Sequence, residues 1–130
     1  MALKRDPHCG PVPEAAWIAD DAARARGRVA IFNAARADGL DGGWTMDERQ
    51  YTLMHDHILR CLDELAGDDG SVPLSLVVSE AQRLFSMHEA FPKGRVRNYC
   101  TFTKVDMEAR CEIERLPGVS PQRIVRWREE

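Results

Sequence analysis

Val96-Arg97-Asn98-Tyr99-Cys100-Thr101-Phe102-Thr103-Lys104-Val105-Asp106-Met107-Glu108-Ala109-Arg110-Cys111 reads as one helix, and two short strands follow it at once, Glu112-Ile113-Glu114-Arg115 and Gln122-Arg123-Ile124-Val125-Arg126-Trp127. Val96, Tyr99, Cys100, Thr103, Met107 and Cys111 recur at helical spacing, with Phe102 and Val105 beside them, which marks the buried stripe. Arg97, Thr101, Lys104, Glu108 and Arg110 fall opposite and are expected in solvent. The six residues Leu116-Pro117-Gly118-Val119-Ser120-Pro121 hold two prolines and a glycine, a turn by composition. Alternation in the strands turns Ile113 and Val125 or Trp127 inward. Arg115, Arg123 and Arg126 then decorate a hairpin, where cross-strand pairing with Glu112 and Glu114 is the plain alternative to any binding role.

Upstream of this unit, the sequence predicts three more helices and a strand. Residues 1–12 form an irregular arm with Pro7, Gly10 and Pro11. Pro13 to Arg26 suits a helix, because proline fits a first helical position, Arg24 and Arg26 fit the last turn, and Gly27 lies just past it. Its stripe of Trp17, Ile18, Ala22 and Ala25 is thin, so this helix needs a neighbour to pack on. Arg28–Asn33 is a short apolar strand, and Asp38–Gly43 is a loop with three glycines but no phosphate-binding pattern. Thr45 and Glu48 have the spacing of a capping box. The helix they open buries Tyr51, Met54, Ile58, Cys61, Leu62 and Leu65, and Gly67 stops it. His55 and His57 point about 200° apart on that helix and cannot share a metal. His57 and Cys61 lie four apart, an arrangement read as a buried thiol beside a surface imidazole. After an extended Val72-Pro73-Leu74, Ser75 is the expected N-cap of a helix that reaches Phe85 or Met87 and buries Val77, Val78, Ala81, Leu84 and Phe85. Pro92 and Gly94 keep helix out of the linker that follows.

At 130 residues the chain can bury a true core, and 44% hydrophobic with 30% charged residues is an ordinary folded composition. No apolar run is long enough to span a membrane. The N-terminus lacks the apolar core of a signal peptide. A cytoplasmic location with four reduced cysteines is expected on that basis. Cys9, Cys61, Cys100 and Cys111 show no paired spacing, so no structural zinc is expected. The net charge of −3 is unevenly placed: residues 93–130 carry +3 and the preceding 92 carry −6. Such a split points toward polyanion contact more than the total does.

The junction Val105-Asp106-Met107-Glu108-Ala109-Arg110-Cys111-Glu112-Ile113-Glu114-Arg115 resembles the third helix and first wing strand of winged helix-turn-helix domains. More narrowly, the chain is similar to a family of short bacterial proteins of unknown function. The positions that carry this likeness are Asp106, Glu108, Ala109, Arg110, Ile113, Arg115, Arg126 and Trp127, and it extends over residues 28–128. The resemblance implies an α+β, mainly α fold: a winged helix-turn-helix with a three-helix core and a C-terminal β-hairpin, carried by residues 45–130. Residues 1–44 would then be an N-terminal helix and strand extension. Cys111 stands where the family has glycine, which strains the helix-to-strand turn.

Two roles stay open. The first is binding of double-stranded DNA, as in transcriptional regulators, through Arg95, Arg97, Asn98, Thr101 and Lys104 on the helix and Arg115, Arg123 and Arg126 on the wing. Most of these would meet phosphate, while Arg97 and Asn98 could reach base edges. Asp106 and Glu108 on the same helix would repel phosphate. The second is a protein-interaction module of the same fold, with a homodimer through residues 13–33 as a compatible addition. No Ser-His-Asp, HExxH or phosphate-loop signature is visible, so neither a catalytic residue nor a cofactor is expected.

Overall fold

The computed structural model describes residues 5–129. In chain order the elements are α1 (Glu14–Arg24), β1 (Arg28–Phe32), β2 (Leu40–Asp47), α2 (Glu48–Glu64), β3 (Val72–Pro73), α3 (Leu74–Phe85), α4 (Val96–Ala109), β4 (Ile113–Arg115) and β5 (Arg123–Arg126). The fold is α+β and mainly helical. β1 and β2 form an antiparallel pair, and β3, β5 and β4 form a second antiparallel sheet in that spatial order. Of the N-terminal arm, residues 1–4 lie outside the described residues.

The unit from α4 to β5 is a helix followed by a hairpin, as its sequence pattern predicts, but Ile124, not Val125 or Trp127, joins Ile113 in the main core, and Val125 lies on the other face opposite Glu114. Glu114 pairs with Val125 and Arg115 with Ile124, so the two strands form a hairpin. Val72 pairs with Ile124 on the other side, which makes the extended segment before α3 a third strand. Ile113 and Ile124 point into a core built from Met54, Ile58 and Leu62 of α2, Val77 and Phe85 of α3, and Cys100 and Met107 of α4.

The turn out of α4 is tight. The amide of Glu112 donates to the carbonyl of Met107 at 3.0 Å, and that of Cys111 to Glu108 at 3.4 Å. This is the two-bond Schellman closure, which needs a left-handed residue at the first position past the cap. Cys111 occupies it with φ 63°. A side chain there costs roughly 1–2 kcal/mol, which glycine would avoid.

Several expected boundaries and faces moved. The loop expected over Asp38–Gly43 is strand from Leu40 onward. Gly42 and Gly43 sit in it at φ 72° and 77°, and the register breaks between Ala30 and Phe32. The glycines therefore make an irregular hairpin rather than a free loop. Because the ladder runs on to Arg28 opposite Asp47, Thr45 is held in strand and cannot cap α2. Its hydroxyl accepts from Arg28 Nε at 3.0 Å instead. Asp47 is the cap, accepting the amides of Arg49 and Gln50 at 3.0 and 3.2 Å. Likewise Ser75 lies inside α3, because Pro73 is tied into the sheet and Leu74 already donates to Gln122.

His57 is buried rather than at the surface, since α3 covers it: its Nε2 lies 2.9 Å from the carbonyl of Val77 and 3.5 Å from Cys61 Sγ. Burial holds the His57 imidazole below its ordinary pKa. Leu65, expected in the core, is the exposed C-cap of α2. On α1 the inward face is Ala16, Asp20 and Ala23, while Trp17 and Ile18 are 43% and 62% exposed. The expected stripe failed because buried Asp20 sets the roll of this helix, accepting the Ala30 amide at 3.0 Å.

Replacing Cys111 with glycine should raise unfolding free energy by roughly 0.5–1 kcal/mol, the relief of left-handed strain less the added freedom of the unfolded chain. Urea melts of the C111G variant check this; a loss of stability would mean that the thiol has a packing role.

Candidate nucleic-acid interface

The site expected along α4 depends on what its charges face. Asp106 is fully buried. Its Oδ2 accepts from the Tyr51 hydroxyl at 2.5 Å and from Arg110 Nε at 2.9 Å. Its Oδ1 accepts the Phe32 amide at 2.9 Å. Burial pushes the Asp106 carboxyl above its ordinary pKa while Arg110, Tyr51 and the amide pull it back down. Arg110 reaches further, donating from Nη1 to Asp20 at 3.1 Å and from Nη2 to the Ala30 carbonyl at 3.0 Å. Its guanidinium lies 4.0 Å from the centre of the Phe32 ring, a cation–π contact. Arg110 was expected in solvent; its side chain is 8% exposed.

Lys104 and Glu108 make a second such pair two residues earlier, on the other side of the same helix. The apolar spacing of the helix places both at the surface, but both are buried and pair at 2.9 Å. Lys104 Nζ also donates to Gln122 Oε1 at 2.5 Å, which ties α4 to the start of β5. From the arm, Cys9 Sγ sits 3.6 Å from Glu108 Oε2, and the Gly10 amide donates to the Glu108 carbonyl. Burial and the nearby Glu108 charge push the Cys9 thiol up to about 12.

The hairpin arginines are committed within the chain, though not to the partners expected. Arg115 clasps Asp6 with Nε and Nη2 at 3.1 and 2.9 Å. Arg123 donates to the hydroxyl and carbonyl of Ser71 at 2.7 and 3.2 Å. Arg126 pairs with exposed Asp63 at 2.5 Å. Glu114 is buried and binds Arg5 and Arg128 rather than a strand partner, and Glu112 meets His55 at 2.8 Å. Register explains the difference: Arg126 lies opposite Ile113, Arg123 opposite Pro73 and Glu114 opposite Val125, so no carboxylate of the hairpin faces a β5 arginine directly across the sheet.

What remains outward is the first part of α4. Arg95, Arg97 and Asn98 are exposed, and the half-buried Thr101 turns its hydroxyl back to the carbonyls of Arg97 and Asn98. Arg95 enters the helix with φ 60° and no side-chain cap follows. Arg97 and Thr101 edge a groove of about 390 Å³ whose other walls are Ser75, Val78, Ser79 and Gln122. The expected site is thus divided. Arg95, Arg97, Asn98 and Thr101 stay together, while Lys104, Arg115, Arg123 and Arg126 are bound to other parts of the chain.

Sequence reasoning missed Asp6, Asp20, Asp63, Ser71 and Gln122 as partners of these cations, and Tyr51 as a partner of Asp106. One signal was present: Lys104–Glu108 and Asp106–Arg110 are both four apart, the spacing of helical ion pairs, but spacing does not say whether the pair faces inward. Among the described residues, no group of three or more His, Cys, Asp or Glu is placed to hold a metal. No described helix is long and apolar enough to cross a membrane.

Residues 28–124 match the family of unknown function DUF6958. The chain belongs to this family. The match begins at the first residue of β1 and ends inside β5, close to the span expected from the junction motif. Within the family region lie Tyr51, Asp106 and Arg110; Asp20 and Asp6 are supplied by the segment before it. No curated protein and no solved structure matches the chain.

Burial raises the Asp20 carboxyl, but Arg110, the Ala30 amide and Arg24 together hold it below its ordinary value of 3.8. Asp6 and Glu114 are lowered in the same way, against burial, by Arg115 and by Arg128 with Arg5. A folded-state pKa below the unfolded one gives stability that is present at neutral pH and lost as pH falls through the folded value. Thermal melts should therefore show the melting temperature falling below about pH 4, and more gently in D20N. An unchanged acid limb in D20N would mean that Asp20 is not ionised against Arg110.

Proposed function

We propose that this chain is a winged helix-turn-helix module that binds duplex DNA through the first half of α4. The order helix, short strand, helix, helix, two-stranded hairpin supports the fold assignment, with β3 completing the sheet beside the wing. One observation carries the binding role. The outward positions of α4 are Arg97, Asn98, Thr101, Phe102 and Val105, and no carboxylate is among them. Asp106 and Glu108, which would repel a phosphate backbone, are buried against Arg110 and Lys104. Guanidinium and amide groups at Arg97 and Asn98 can make two-pronged contacts to base edges, while Lys93 and Arg95 meet phosphate.

A protein-binding role for the same fold is favoured by a different observation. Arg115, Arg123 and Arg126 already have partners within the chain, so the wing brings little spare positive charge to a polyanion.

A mobility shift on duplex DNA discriminates the two. With phosphate contacts from Lys93 and Arg95, log affinity should fall with log salt at a slope of roughly −2. R97A should weaken binding roughly tenfold. Absence of any shift at low salt, together with one stoichiometric co-purifying protein, would select the second role.

A further inference from the structure

Between β2 and the start of α4 lies a cleft of about 510 Å³, walled by Trp44, Tyr99 and Phe102 and edged by Arg28, Arg95 and Asn98. The volume is in the range of small-molecule sites, about 300–1,000 Å³. Its aromatic wall is braced: Trp44 and Phe102 meet edge to face with ring centres 4.7 Å apart, and Trp44 Nε1 donates to Asp41 at 3.1 Å.

The charge at its rim is unbalanced. Arg28 is held in place by Thr45, donating to its hydroxyl at 3.0 Å and its carbonyl at 2.8 Å, but both acceptors are neutral. Neither Arg28 nor Arg95 has an ion-pair partner among the described residues. The carboxylate on the rim, Asp47, already accepts two amides of α2. The Tyr99 hydroxyl has no hydrogen-bond partner among the described residues. Flat apolar walls, two uncommitted guanidinium charges and a spare hydroxyl thus converge on one space.

We propose that this cleft binds a small planar aromatic anion. Its ring stacks among Trp44, Tyr99 and Phe102, and its carboxylate or phosphate meets Arg28 and Arg95. Ring faces attract other rings in offset or edge-on contact, and charged hydrogen bonds from guanidinium to an oxyanion are about twice as strong as neutral ones. An aromatic carboxylic acid and a nucleoside monophosphate share this chemistry. The inference does not rest on duplex binding, although Arg95 and Asn98 belong to both surfaces, so the test is run without DNA.

Isothermal titration of the full chain with 1-naphthoate and with adenosine monophosphate is the experiment, with uncharged 1-naphthalenemethanol and non-aromatic cyclohexanecarboxylate as controls. At least one aromatic anion should saturate one site and bind about tenfold or more tighter than either control. Whichever anion binds more tightly identifies the source. R95Q should weaken binding about tenfold without lowering the melting temperature. R95G, which suits the left-handed backbone at that position, should do the same and guards against a misfolded R95Q. No saturable binding by either anion, equal binding by a control, or wild-type affinity in the folded Arg95 variants would each overturn the proposal.

Discussion

The Arg110 guanidinium spends its donors on three separate elements. Nε goes to Asp106 on its own helix, Nη1 to Asp20 on α1 and Nη2 to the Ala30 carbonyl on β1. Asp106 in turn takes the Tyr51 hydroxyl from α2 and the Phe32 amide from β1. Burying either charge alone would cost several kcal/mol, so neither can be in place unless the other is, and unless the remaining lone pairs and protons are used. The net worth of such a pair is small compared with the cost of breaking it. Its effect is to select geometry: α1 must roll until Asp20 faces the core, and β1 must lie where two of its backbone groups reach α4. The alanines at 16 and 23 allow this close approach, and Trp17 is left at the rim against Phe32.

The same rule applied at Lys104 and Glu108 accounts for the surface of α4. Two charged pairs that an isolated helix would leave in water are drawn inside, one toward α1 and β1, the other toward the arm and Gln122. The helix is therefore embedded along its second half and open along its first. What it offers to a partner is short, lacks carboxylates, and is bordered by one groove against α3 and one cleft against β2. The arm contributes by closing over the buried end, with Asp6 on Arg115 and Gly10 on the Glu108 carbonyl.

The helix-to-hairpin unit was legible because several local signals agree there. Proline and glycine mark the turn, alternation marks the strands, and the left-handed demand at Cys111 shows up as a departure from glycine. α2 and α3 were legible from periodic apolar residues. Their starts were not, because a strand running up to Asp47 and another ending at Pro73 overrode the local capping signals at Thr45 and Ser75. The candidate site was half legible. Arg95, Arg97 and Asn98 are exposed as the pattern implies. Lys104, Arg110 and the hairpin arginines are not available as read, because their partners at Asp6, Asp20, Ser71 and Gln122 are distant in sequence. Periodicity also assigned charged residues to water by default, and that default fails where two opposite charges are buried together.

Amide hydrogen exchange at Phe32 and Ala30 tests the central role of the buried pair most directly. The Phe32 amide donates to a side chain, Asp106 Oδ1, and the Ala30 amide to Asp20 Oδ1. If these carboxylates join α1 and β1 to α4 as a single cooperative unit, both amides exchange only on global unfolding, as slowly as the amides at the centre of α4. Exchange orders of magnitude faster than α4, as in a locally opening strand, would contradict the account.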